Sequence, residues 1–330
     1  MQRNERDLIC CKQVCRLPLD GGAAFHPRDG RMAVFGGQEV QILDPELNMI
    51  KRLCFPYRVR ETDFSGSGKF LCVTTDREVW LVDAGSLETL QNIRVPDGAE
   101  ALAAVSPDDS LLAVFGKTNG KGLLIDTGSG GTVSARSYWA FSGWLFGLAF
   151  SGSGKSLFAV RVYSDSDYTI QLGVEYTVWG IRTEGMEVPS LDFQGAYGFR
   201  YSRHYEPEGV FQAAPAADSL YCLYTDRRMR TVCRADRETG KIDETYGKET
   251  DFDRITVTPD GKLLAAADHG GETLSFWKLP EMALIRREPV SCGPVREVRI
   301  SPDAGRIALK GGDGLFLCSL QRELLFPERG

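Results

Sequence analysis

The sequence predicts an all-β repeat protein built of short strands joined by tight turns, and three observations carry that prediction. The first is a recurring turn: Phe25-His26-Pro27-Arg28-Asp29-Gly30, Phe64-Ser65-Gly66-Ser67-Gly68, Val105-Ser106-Pro107-Asp108-Asp109, Phe150-Ser151-Gly152-Ser153-Gly154, Ala213-Ala214-Pro215-Ala216-Ala217-Asp218, Val257-Thr258-Pro259-Asp260-Gly261 and Ile300-Ser301-Pro302-Asp303-Ala304-Gly305. The second is its spacing, with steps of 39, 41, 45, 63, 44 and 43 residues between copies. The third is the short apolar run rich in β-branched residues that follows most copies, as LCVTTD after Gly68-Lys69-Phe70 and LFAVRVYS after Ser156.

The turns have a common chemistry. Pro presets one dihedral, Asp or Ser bonds back to the backbone, and Gly takes the positive φ, so each copy joins two strands tightly. One copy also comes within a residue of a phosphate-binding loop: AFSGSGKS at 149–156 has Ala149 where G-x-x-x-x-G-K-[ST] begins. A phosphate loop must open a helix, whose N-terminus favours the anion. The flank here reads as a strand, and DFSGSGKF at 63–70 is nearly the same octet, so the segment is read as a hairpin turn.

A second landmark trails each turn: Leu43-Asp44, Val82-Asp83, Ile125-Asp126, Trp179-Gly180, Ala235-Asp236, Trp277-Lys278 and Cys318-Ser319. With this landmark the chain resembles the WD-repeat family of β-propellers, whose third strand in each unit closes with Trp-Asp. The resemblance spans almost the whole chain and implies a seven-bladed β-propeller of four-stranded antiparallel blades. The member is divergent: no Gly-His opens the units, Trp179 and Trp277 lack their Asp, and His26, His204 and His269 are the only histidines. The family's buried Asp-His-Ser/Thr-Trp network therefore has no complete set, and packing and turns must hold the ring.

Composition fits one ring over residues 1–330, because repeat folds grow by adding units about one axis and no low-complexity linker divides the chain. A net charge of -6 gives no general attraction to nucleic acid. No apolar run is long enough to cross a membrane, and the N-terminus lacks the apolar core of a signal peptide. Nine cysteines, an odd number without a C-x-x-C pair, read as reduced thiols of a cytoplasmic protein, and Cys10, Cys11 and Cys15 as thiols on a strand.

A propeller must join its first and last blades, and the family does so with a strand from one terminus. Residues 1–17 are assigned that role, with Leu8 to Leu17 beside Gly314 to Leu320 and Leu324 to Phe326 as the competitor. The repeated turns then lie on the bottom face, and the loops between second and third strands and between blades lie on top.

The one long step falls in the fourth blade, where residues 162–213 are expected to form long-loop insertions reaching the top. Together with the loop YWAFSGW they collect Tyr138, Trp139, Trp144, Tyr197, Phe199, Arg200, Tyr201, Arg203, His204 and Tyr205. Tyr, Trp and Arg dominate binding hot spots, so this is the candidate site for a protein or peptide partner. The competing reading is that the rings pack their own loops. Neither a cofactor nor a small-molecule substrate is expected.

The alternative is a hydrolase-type enzyme with a metal or acid site in the central channel, whose wall offers Glu61, Asp63, Glu100, Asp253 and Glu297. Arg60, Arg254, Arg296 and Arg299 stand beside them as ion-pair partners, and no Ser-His-Asp set is legible. The basic stretch at 225–237 alternates Arg with Met229, Thr231 and Cys233 and carries its own acids, as a solvated blade edge does.

Overall fold

The computed structural model describes residues 9–16, 21–95, 100–118, 121–137, 143–151, 153–165, 171–182, 190–200, 211–216, 219–225, 230–236, 242–243, 252–268, 270–312 and 314–325. In β1 and in parts of the third to fifth sheets, only the backbone is described. The strands are short and antiparallel. The N-terminal β1 (Ile9–Arg16) is followed by β2 (Gly22–Phe25), β3 (Met32–Gly36), β4 (Glu39–Leu43) and β5 (Met49–Cys54), which form the first sheet. The second holds β6 (Val59–Phe64), β7 (Phe70–Thr75), β8 (Glu78–Asp83) and β9 (Thr89–Arg94). The third holds β10 (Ala101–Val105), β11 (Leu111–Gly116), β12 (Lys121–Asp126) and β13 (Thr132–Ser137).

The fourth sheet has the long strands β14 (Gly143–Phe150), β15 (Ser156–Asp165), β16 (Gln171–Arg182) and β17 (Ser190–Arg200). The fifth holds β18 (Phe211–Pro215), β19 (Ser219–Thr225), β20 (Arg230–Asp236) and β21 (Ile242–Asp243); the sixth holds β22 (Phe252–Val257), β23 (Leu263–Asp268), β24 (Thr273–Lys278) and β25 (Ala283–Pro289). The last is β26 (Val295–Ile300), β27 (Arg306–Gly311) and β28 (Gly314–Leu320), with β1 paired antiparallel to β28 so that Cys11 stands opposite Cys318. Residues Arg322–Leu325 form a helical turn, α1, in the stretch named as the competitor for the closing strand.

The core lies between sheets rather than within one. Val40, Ile42, Val59 and Leu71 pack sheet one on sheet two; Val79, Leu112 and Val114 pack two on three; Phe115, Leu145 and Leu157 pack three on four. Tyr221, Ile255 and Leu264 join five to six, and Phe276, Val298 and Leu309 join six to seven. Phe25, Met32, Leu315 and Leu317 join the last sheet to the first. First strands neighbour one another from β10 through β14, β18, β22, β26 and β2 to β6, and β10 meets the second sheet at β7.

The turn residues act as their types require. In the Ser-Pro-Asp copies the hydroxyl donates to the Asp carboxylate two residues on, at 2.6 Å for Ser106–Asp108, Thr258–Asp260 and Ser301–Asp303, and accepts the amide five residues on. In the octet at 63–70, Ser67 replaces the Asp: it lies 3.1 Å from the Ser65 hydroxyl and accepts the Lys69 amide at 2.9 Å. Ser151 and Ser153 repeat this pair at 3.0 Å, and Gly154 donates its amide to the Ser151 carbonyl at 3.0 Å with φ of 72°. Ser156 then opens β15, a strand, so Lys155 sits in hairpin chemistry with no helix after it.

In the first copy His26 takes the serine's place. It is buried; its Nδ1 lies 2.7 Å from Oδ1 of Asp29 and 3.1 Å from the Asp29 amide nitrogen, and its Nε2–H donates to the Gly68 carbonyl of the next sheet's turn at 2.9 Å. The Asp of the second landmark has an equally plain role. Asp83 accepts the amides of Gly85 and Ser86, and Asp126 that of Ser129, so bonding to those amides holds both carboxyls below their usual range.

The thiols depart from the sequence expectation. Cys54, Cys72 and Cys292 are free, but Cys318 is disulfide-bonded. Spacing rules look for cysteines near one another along the chain, and the nearest to Cys318 in sequence, Cys292, is free.

Candidate functional site

The fourth sheet supplies the first candidate. Its strands have 8, 10, 12 and 11 residues, against 4 to 6 in each strand of the first sheet. β15 starts directly after the bottom turn, so its far end, Val162 to Asp165, runs past its neighbours on the opposite, top side. Four further residues at a strand's rise extend it by about 13 Å.

Part of the surplus expected as loop is therefore strand. The pattern explains it: Leu172, Val174, Tyr176 and Val178 alternate with Gly173, Glu175 and Thr177, and Leu191, Phe193, Tyr197 and Phe199 fall at strand spacing with Asp192, Gln194 and Gly198 between. Register places Trp144 opposite Val162, Val162 opposite Val174, and Val174 opposite Phe199, while Tyr176 stands opposite Tyr197. These positions share one face of the projecting sheet. Arg161, Tyr163, Glu175 and Arg200 fall on the other.

Of the candidate residues, Trp144, Tyr197 and Phe199 are thus brought to one face, and Arg200 to the opposite one. Tyr138, Trp139, Tyr201, Arg203, His204 and Tyr205 lie outside the described residues. So does His269.

The second candidate is the space enclosed by the first strands, a cavity of about 820 Å³. One side of its wall is apolar, with Leu102, Ala104, Phe146 and Leu148; the other carries Glu61, Asp63 and Arg299. Arg299 on β26 reaches Glu297 at 3.5 Å and, past the small residues of β2, Glu61 of the second sheet at 3.7 Å. Gly22 leaves the room that the Glu297 carboxylate occupies, because a Cβ there would lie 2.2 Å from its Oε2.

Burial pushes the Glu297 carboxyl up, with Arg299 pulling it down and Glu61 pushing it further up. Burial works to lower Arg299, but Glu297, Glu61 and Asp63 outweigh it and hold the guanidinium above its ordinary value. Asp63 is surrounded by protein yet open to the cavity's water; burial pushes its carboxyl up to about 6, against the pull of Arg299. Cys72, deeper in the same wall, is pushed up by burial and by both nearby carboxylates.

Glu100 is paired as well. Arg60 pairs with Asp76 and, at 3.4 Å, with Glu100, which Lys117 also meets at 3.5 Å. Arg254 donates to the backbone carbonyls of Asp253 and Arg296, both at 2.6 Å. Among the described residues, no group of three or more His, Cys, Asp or Glu is placed to hold a metal ion. Among the same residues, no helix is long and apolar enough to cross a membrane.

No family model and no curated protein matches the chain. Solved structures do. The chain is similar to the β-propeller domain of Cps50 (Swd1) from Myceliophteria thermophila, with a TM-score of 0.68 at 14% identity over 93% of this chain and 98% of that one. It is also similar to a chain of the mitotic checkpoint complex, with a TM-score of 0.65 at 14% identity over 94% and 93%. The fold is a WD-repeat-like β-propeller.

Edge-to-face packing of Trp on Phe occurs twice among the described residues of this propeller. Trp80 on Phe55 and Trp277 on Phe252 share the same geometry, with ring centroids 5.5 Å apart at 73°. Neither indole N–H has a hydrogen-bond partner among the described residues. Sequence reasoning missed the apolar side of the propeller's cavity, since Leu102, Phe146 and Leu148 read as ordinary strand residues; only the packing of the sheets brings them to the cavity that Asp63 also lines.

Proposed function

We propose that this chain is a non-catalytic interaction or scaffold propeller that holds a protein or peptide partner on its top face. In this reading the seven sheets are seven blades of one ring over residues 1–330, closed by residues 1–17. The contact surface is the top of the fourth blade with the loop before it: Tyr138, Trp139, Trp144, Tyr197, Phe199, Arg200, Tyr201, Arg203, His204 and Tyr205.

One observation carries the reading. Among the described residues the fourth sheet holds the three longest strands, and one face of their extended ends collects Trp144, Val162, Val174, Tyr176, Tyr197 and Phe199 by register. A projecting face rich in aromatic positions supports a binding role, because such residues bury much area at low entropic cost. Propeller neighbours are a second support, one of them named for a multiprotein complex. The reading includes a cytoplasmic location, for which the three free thiols speak and against which the bond at Cys318 stands.

The test is paired. Tyr197→Ala with Phe199→Ala, and separately Arg200→Ala, are compared with wild type by thermal unfolding and by affinity capture with mass spectrometry. The reading expects a reproducible set of partners to be lost with the aromatic pair while the melting temperature holds. Lost stability with proportionate loss of capture means that the rings pack their own blade.

A further inference from the structure

Cys318 is bonded, wholly buried between the last two sheets, and directly opposite Cys11 in the pairing of β28 with β1. Its possible partners narrow quickly. Cys54, Cys72 and Cys292 are free. Cys222 and Cys233 stand opposite each other in the fifth sheet, whose first strand neighbours those of sheets four and six, not seven. Cys10 is opposite Ser319 and, by alternation, on the other face of β1, while Cys15 lies beyond a register shift opposite Leu315. Directly opposed strand residues have the Cα and Cβ separations a disulfide needs.

We propose that Cys11 is the partner of Cys318 and that their disulfide is a covalent clasp fastening the N-terminal strand to the C-terminal sheet. Without it, β1 is an edge strand held by backbone pairing and by whatever its side chains bury, at a chain end where fraying begins. With it, residues far apart in sequence are tied at the seam where a ring must close. The bond forms by exchange: the two thiols lose two protons and two electrons to a low-molecular-weight disulfide, which leaves as two thiols. Because Cys318 is buried, reduction in the folded protein must wait for β1 to lift.

The experiment begins with intact cells of the protein's source, whose free thiols are blocked with an alkylating agent before lysis. Tryptic digestion without reductant should release residues 7–12 (DLICCK) joined to residues 311–322 (GGDGLFLCSLQR). Fragmentation should assign the bond to Cys11, Cys11→Ser should abolish the joined peptide, and Cys10→Ser should retain it. Alkylation of both sulfurs, or a bond to Cys10, Cys15 or any other cysteine, overturns the proposal. On purified wild type, reductant should lower the unfolding midpoint by about 5 °C or more, and should leave Cys11→Ser unmoved. A wild-type midpoint that ignores complete reduction removes the clasp even if the bond exists.

Discussion

Arg306 donates from Nη2 to the carbonyl oxygen of Gly30 at 2.7 Å, across 276 residues of chain. Its Nη1 reaches the Pro45 carbonyl at 3.3 Å, and its guanidinium lies over the Phe25 ring at 5.7 Å. The last sheet thus holds both bottom turns of the first. Arg31 makes the same move from sheet one to two, donating to Ala84 at 2.6 Å, and Gln91 from two to three, donating to Thr127 at 2.7 Å. Arg306→Ala should cost about 2 kcal/mol in chemical denaturation, since it strands a partly buried carbonyl that a charged donor had satisfied. Arg306→Lys should rescue little, because a single ammonium cannot span two carbonyls over a ring.

The two copies of FSGSGK make a controlled pair. Gly68 and Gly154 both have positive φ, at 80° and 72°. An added Cβ at Gly154 would meet only Pro107 at 3.6 Å, whereas at Gly68 it would lie 2.5 Å from Nε2 of His26. Gly154→Ala should cost about 1 kcal/mol, the strain of a left-handed L residue. Gly68→Ala should cost at least about 1 kcal/mol more, because it also breaks the His26 bond. Lys155→Ala should change neither stability nor partner capture. Micromolar ATP binding lost in that variant would return the octet to a phosphate-loop role.

The sequence made the repeat legible because turn chemistry is local: Pro, Asp and Gly at fixed offsets report the same hairpin wherever they fall. It also located the acids facing Arg299, since first strands follow from the turns. It misread residues 190–200 because chain-length arithmetic detects a surplus without saying whether the surplus pairs; the apolar residues Leu191, Phe193, Tyr197 and Phe199, spaced as in a strand, were the better guide. The bonded state of Cys318 was invisible, since it depends on which strand ends opposite which, a property of register alone.

Asp63 gives a pH dependence with a defined sign. An unfolded Asp titrates near 4, while the folded carboxyl is pushed up to about 6. The folded state therefore holds the proton more tightly between those values, and stability falls as pH rises through the window, with the penalty complete above it. Asp63→Asn should remove that slope and raise stability at pH 7. The gain is on the order of 1 kcal/mol, because water in the cavity screens most of the shift. Denaturation midpoints at pH 4 and pH 7 for both proteins make the check, and a slope that persists in the variant assigns it to another group.

Gly22 and Glu297 should behave as a single unit. The carboxylate occupies the space a side chain at position 22 would fill, so Gly22→Ala must drive Glu297 away from Arg299. Arg299 then keeps only Glu61, at 3.7 Å and more exposed, and a buried carboxylate loses its nearest cation. The expected cost is about 2 kcal/mol, as for a partly buried charge left short of its partner. Glu297→Ala alone should also destabilise, by stripping Arg299 of that contact. In the double variant the new methyl group finds the space already vacated, so its cost should not exceed that of Glu297→Ala by more than a few tenths of a kcal/mol. A double-mutant cycle by chemical denaturation decides the point. Additive costs would mean that Gly22 is required for its backbone alone.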